Sequence, residues 1–155
     1  MNNTIVEYKI KNNNSSLGVE ILDFEYDHIF DDARVSDLRN LWLNYSIIIF
    51  KDLKLSHQQL ENFSLAFGNF GNDPYIDSID GHDNIIEVRR EADEKAPPFG
   101  ASWHSDWSFQ ECPPSATLLH SKIIPPIGGD TFFINTHKAY DDLPNDIKQK
   151  IKNLM

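Results

Sequence analysis

Residues 102–109 read Ser-Trp-His-Ser-Asp-Trp-Ser-Phe, and no other run constrains the fold as tightly. The run reads as a strand. Side chains alternate faces along a strand, so residues two apart project the same way. His104 and Asp106 would then present an imidazole and a carboxylate to one point in space. Those are two of the three protein ligands of a 2-His-1-carboxylate facial triad, a site that suits non-haem Fe(II) with open positions. The competing interpretation is a hydrogen-bonded pair on a strand edge, because His-x-Asp is a short motif that recurs by chance. The long polar loop before the pair and the tryptophans at 103 and 107 favour a pocket, since ligand pockets are largely apolar with a few placed polar groups.

The chain has the length of one domain: 155 residues, 40% hydrophobic and 25% charged, an ordinary globular composition. A formal charge of −10 argues against a nucleic-acid partner, which would need clustered Lys and Arg. The single cysteine, Cys112, allows no internal disulfide and fits a reducing, cytoplasmic setting. The first residues show neither a basic nor an apolar leader region, and the longest apolar run, Ile47–Phe50, is far too short for a membrane span.

Periodicity sets the elements. Val6, Tyr8 and Ile10 alternate as a strand, Asn12–Ser16 is a polar turn, and Leu17–Ile21 is a second strand. Val35, Leu38, Leu41, Trp42 and Tyr45 recur at helical spacing, with Asp31 or Asp32 as N-cap. Ser46–Phe50 reads as a buried strand. Ser56 and Gln59 have the form of a capping box ahead of a helix with Leu60, Phe63 and Phe67 on its apolar face, and Gly68 as its stop. Further strands are expected at Ile85–Arg89, at the His104 segment, at Ala116–Ile124 and at Thr131–Ile134. Gly128-Gly129-Asp130 forms a tight turn before the last of these. Leu143, Ile147, Ile151 and Leu154 give a final amphipathic helix running to the last residue. The order suggests an α+β fold, with helices on an antiparallel sheet or jelly roll. His120 reads as a hydrogen-bonded strand histidine. His137 reads as a surface or capping residue, and His28, His57 and His82 as surface. Trp103 and Trp107 read as core aromatics that also wall a pocket.

Two further motifs follow the Trp103–Phe109 run in fixed register: Pro113-Pro114, then Pro126-Ile127-Gly128-Gly129-Asp130-Thr131. Over these roughly thirty residues the chain strongly resembles the taurine dioxygenase-like (TauD/TfdA) family of Fe(II)/2-oxoglutarate-dependent dioxygenases. The resemblance implies a double-stranded β-helix (jelly-roll) core with flanking helices. It implies His104 and Asp106 as the first two iron ligands, and Thr131 as the hydroxyl that binds the co-substrate carboxylate. It also implies Fe(II), 2-oxoglutarate and O2 as cofactor and co-substrates, with a small organic molecule hydroxylated as succinate and CO2 form. Two positions depart from the family's taurine-binding residues: Asp73 stands where a histidine precedes proline, and Gly100 stands where an asparagine lies three residues before the motif tryptophan.

In the family a second histidine lies well downstream, followed by the arginine that grips 2-oxoglutarate's distal carboxylate. Here the arginines are Arg34, Arg39, Arg89 and Arg90, all before His104, and His120 and His137 come too early. Lysine is no equal substitute for that bidentate contact. The expectation is therefore a single domain over residues 1–155 that forms the N-terminal portion of a jelly roll, incomplete in this chain and inactive alone. A truncated product, half of a split enzyme completed by a second chain, and a degenerate non-catalytic module compete as explanations. The apolar stripe Leu143–Leu154 favours the first, because it needs a surface to pack against. A homo-oligomer is left open.

Overall fold

The computed structural model describes residues 9–11, 17–73 and 75–154. The expected alternation of Val6 and Tyr8 and the Asn12–Ser16 turn lie outside them. The chain divides into two compact units, one from Met1–Glu25, Ser36–Leu53 and Ile123–Met155, the other from Tyr26–Val35 and Lys54–Lys122.

In the first unit, strand β1 (Lys9–Lys11) pairs antiparallel with β2 (Val19–Leu22), and β2 pairs parallel with β3 (Ile48–Phe50). Helix α1 (Asp32–Tyr45) makes the crossover that a parallel pair requires. Its N-terminus is capped as expected, with the Asp31 carboxylate accepting from Ala33 N–H at 2.9 Å. Ser46, in a left-handed conformation (φ 62°), ends the helix and turns the chain into β3. β2 is central because its alternation is clean: Val19 and Ile21 are fully buried, as is Leu38 of α1. Phe24 closes the core edge-on against Phe50, with ring centroids 4.9 Å apart. Helix α3 (Thr136–Asp141) starts at Asn135, whose side chain accepts from Lys138 N–H, and α4 (Asn145–Ile151) follows Pro144. The final helix thus ends at Ile151, short of the expected last residue.

In the second unit, helix α2 (His57–Phe67) carries the complete capping box: Ser56 Oγ accepts from Gln59 N–H at 3.2 Å and Gln59 Oε1 accepts from Ser56 N–H at 2.9 Å. It packs on the 3₁₀ helix Tyr26–Phe30, where Ile29, Leu55 and Phe63 are buried and Asn62 Nδ2 donates to the Tyr26 hydroxyl at 3.2 Å. His82 is not the surface residue expected. It is half-buried, with Nδ1 3.0 Å from Glu61 Oε2 and its ring edge-on to His57.

The largest departure concerns the later strands. Ile85–Arg89, the His104 segment, Ala116–Ile124 and Thr131–Ile134 join no ladder among the described residues, where the only other β pairing is the Ile79–His82 bridge. A strand exists by its partner. These segments carry strand-like alternation, but within the described residues no facing strand pairs with them in a ladder; at Ile85 alone the backbone accepts from Ile79 N–H and donates to the His82 carbonyl, within a turn.

Candidate metal centre

His104 and Asp106 meet, but on a turn rather than a strand. Residues 106–109 form a turn in which Gln110 N–H donates to the Trp107 carbonyl at 3.0 Å. Trp107 sits at φ 56°, a conformation that costs a bulky L-residue strain and that concentrates at functional sites. The turn brings His104 Nε2 to 3.1 Å from Asp106 Oδ1, with both side chains about half exposed (50% and 48%). Trp107 stacks edge-on to Phe109, which in turn meets Tyr75, at centroid distances of 5.8 and 5.6 Å. Trp103 is not a core residue as expected; it is 70% exposed.

The hydrogen bonds around the pair define its chemistry. His104 Nδ1 lies 2.8 Å from the Ser102 carbonyl oxygen. A carbonyl only accepts, so Nδ1 carries a proton and donates it. In the neutral ring Nε2 then holds a lone pair, aimed at a carboxylate oxygen 3.1 Å away. Two acceptors that close repel each other unless a cation stands with them: a proton on Nε2, or a metal ion held by both. The His104 pKa is raised above its ordinary 6.5. The Ser102 hydrogen bond is the largest cause, desolvation opposes it, and the charge and hydrogen bond of Asp106 add to it. The far oxygen of Asp106, Oδ2, accepts from Thr117 Oγ1 at 2.8 Å. Both ligand candidates are therefore oriented by an outer partner, the arrangement that fixes tautomer and aim at metal sites.

The donor set fits a divalent first-row metal: one neutral imidazole nitrogen, its tautomer fixed, beside one carboxylate oxygen. Among the described residues no group of three or more His, Cys, Asp and Glu side chains could hold such an ion, so the pair stands without a third protein ligand there.

Sequence reasoning missed Thr117, because a threonine eleven residues from its partner leaves no periodic signal. It also missed the role of Gly100 as a neighbour of the imidazole. That glycine adopts φ 68°, and a side chain there would come within 3.3 Å of His104 Cε1. The expected Gly128-Gly129 turn is present, with both residues at positive φ (78° and 77°). It leads to Thr131, which is exposed and belongs to the first unit, whereas His104 and Asp106 belong to the second. His120 accepts from Leu55 N–H at 3.4 Å, and Asp73 Oδ1 accepts from the backbone N–H of Tyr75 and Ile76.

Comparison with known proteins is decisive on kinship. Residues 8–155 match the taurine catabolism dioxygenase TauD, TfdA family. The chain belongs to this family. An alkylsulfatase of Acinetobacter baylyi is 31% identical over 140 residues, covering 90% of this chain and 43% of the relative. The (S)-phenoxypropionate/alpha-ketoglutarate-dioxygenase of Sphingobium herbicidovorans is 27% identical over 139 residues, covering 88% and 46%. The crystal structure of a candidate alpha-ketoglutarate-dependent taurine dioxygenase from Burkholderia xenovorans superposes with a TM-score of 0.79 at 24% identity, covering 95% of this chain and 52% of that one. The TauD/TfdA member thus shares that fold over nearly all its residues, as a small mixed sheet with helices. It spans about half the length of the curated relatives it matches. No helix among its described residues is long and apolar enough to cross a membrane.

Proposed function

We propose that this chain carries the first two metal ligands, His104 and Asp106, of an Fe(II)- and 2-oxoglutarate-dependent dioxygenase that hydroxylates a small organic substrate in the cytoplasm. The observation that carries this reading is the unprotonated face of His104 set 3.1 Å from a carboxylate oxygen, a pairing that calls for a shared cation. Family membership and the alpha-ketoglutarate dependence in the relatives' names support it.

The residues have distinct tasks. The Ser102 carbonyl keeps the proton on Nδ1, so His104 offers Nε2. Thr117 donates to Asp106 Oδ2 and leaves Oδ1 to bind. Thr131 supplies a hydroxyl able to donate to the carboxylate of 2-oxoglutarate. When bound, iron would activate O2, the oxidant, with 2-oxoglutarate giving up two electrons as it becomes succinate and CO2 and the substrate C–H giving the other two as it is hydroxylated.

Residues 1–155 are, in this proposal, the N-terminal portion of one jelly-roll domain. Further polypeptide, in the same chain or a second one, completes its ladders and supplies the remaining histidine and arginine. The absence of a third ligand among the described residues favours this arrangement and also motivates the alternative, a non-catalytic module built on the same fold. Anaerobic Fe(II) titration tests the ligand pair: His104→Ala and Asp106→Ala should each weaken binding at least about tenfold. Unchanged affinity in both would remove the assignment. Mixed with Fe(II) and 2-oxoglutarate, the 155-residue chain should release little succinate, and robust release would rule out an incomplete site.

A further inference from the structure

The turn that brings His104 and Asp106 together is held from outside. Gln110 closes it with its backbone N–H on the Trp107 carbonyl. The Gln110 side chain then reaches a segment 38 residues away, where Nε2 donates to the Asn72 carbonyl at 2.9 Å. Asn72 lies in the stretch that follows α2, and that stretch meets the turn at two more points. The Tyr75 ring stands edge-on to Phe109 at a centroid distance of 5.6 Å. A Cβ added at Gly71 would fall 3.1 Å from Pro114 Cγ, so Pro114 packs on bare glycine backbone. Asp73 Oδ1 accepts from Tyr75 N–H at 2.7 Å and Ile76 N–H at 3.1 Å, which fixes the bend from which Tyr75 reaches Phe109.

The turn needs such a hold. Trp107 sits at φ 56°, a conformation that a bulky residue keeps only where its surroundings impose it. Relaxation of Trp107 to an ordinary φ would swing Asp106 away from His104. The contacts at Gly71, Asn72 and Tyr75 tie the turn to the chain leaving α2, a helix fixed by its capping box and by Phe63 in the core. Two of the three are packing contacts, which tolerate sliding. The amide–carbonyl bond of Gln110 sets both distance and direction.

We propose that Gln110 is a positioning residue: by bolting the turn to the Asn72 carbonyl, it sets the 3.1 Å approach of His104 Nε2 to Asp106 Oδ1. It acts through the backbone of the turn. Its meaning for metal binding rests on the dioxygenase reading above; the clasp itself rests on the contacts with Gly71, Asn72 and Tyr75.

Anaerobic Fe(II) titration of the full chain, paired with urea unfolding, tests it. Gln110→Met keeps the length and loses the donor. It should weaken Fe(II) binding about three- to tenfold and leave the urea midpoint at the parent value, because the lost bond is exposed. Gln110→Lys restores a donor and should recover part of the loss. Gly71→Ala should also weaken binding: its φ is not left-handed, so the methyl acts by levering Pro114 away. Gln58→Met removes a comparable bond, to Asn62 within α2, and should leave Fe(II) affinity unchanged. Parent-like Fe(II) affinity in Gln110→Met would overturn the assignment. So would an equal loss in Gln58→Met, or a loss in Gln110→Met that tracks a fall in the urea midpoint. The dioxygenase reading fails separately, through unaltered Fe(II) binding in His104→Ala. NOEs between the Tyr75 and Phe109 rings of the metal-free chain then decide the clasp: Gln110→Met should weaken them, and their persistence at parent strength would overturn it as well.

Discussion

Replacing Gly100 with alanine perturbs two things whose costs can be separated. The backbone there is left-handed at φ 68°, where an L-residue pays about 1–2 kcal/mol. The new methyl would also sit 3.3 Å from His104 Cε1, tighter than an ordinary contact, so the ring must yield by a few tenths of an ångström. Gly81 provides the control. It has nearly the same backbone (φ 78°) with nothing within 4 Å of the added carbon. Both variants should therefore lose about 1–2 kcal/mol in urea unfolding. Only Gly100→Ala should weaken Fe(II) binding, because only there does the methyl turn the imidazole away from the aim that Ser102 gives it. Displacing a ligand from its outer support costs roughly 10–100-fold in metal affinity. Parent-like Fe(II) affinity in Gly100→Ala, or an equal loss in Gly81→Ala, would refute the link between this glycine and the metal pair.

Two further outcomes are expected. In the metal-free chain the His104 imidazole should titrate above 6.5, and Asp106→Asn should lower the midpoint by removing the charge and the hydrogen bond it contributes, readable by NMR. Because the folded value is raised, His104's contribution to stability is present below its ordinary pKa and fades as pH rises through the folded one; the opposite slope would contradict the geometry. Leu38→Ala should cost about 2–5 kcal/mol in urea unfolding, since the side chain is fully buried, and a loss under 1 kcal/mol would mean that this core is not where stability resides.

How much of this was legible in the sequence depends on how local the determinants are. The α2 capping box, the Asp31 cap and the double-glycine turn are set by residues within a few positions, and each formed where its residues are. The β2 alternation was readable for the same reason. The later strands were not, because a ladder needs a partner and alternation records only half of one. The His104–Asp106 pair is an instructive mixture. The two-residue spacing brought His104 and Asp106 together, but through a turn with Trp107 in a left-handed conformation that no periodicity announces. Thr117 acts through tertiary placement, so it did not stand out: it looked like one more residue of the expected strand at Ala116–Ile124. The family motifs succeeded where local physics could not, since they encode the register of segments far apart in sequence.

The uncovered apolar side chains have a colloidal consequence. Ile123 and Ile127 are 93% and 90% exposed, and Phe132 is 75% exposed, on a chain of net charge −10. Apolar patches of this kind draw copies together, while like charge holds them apart only across the screening length, about 10 Å at 0.1 M salt and 3 Å at 1 M. Ionic strength thus decides which force prevails: dilute buffer keeps the molecules dispersed, and concentrated salt shortens the reach of their repulsion until the bare isoleucines meet.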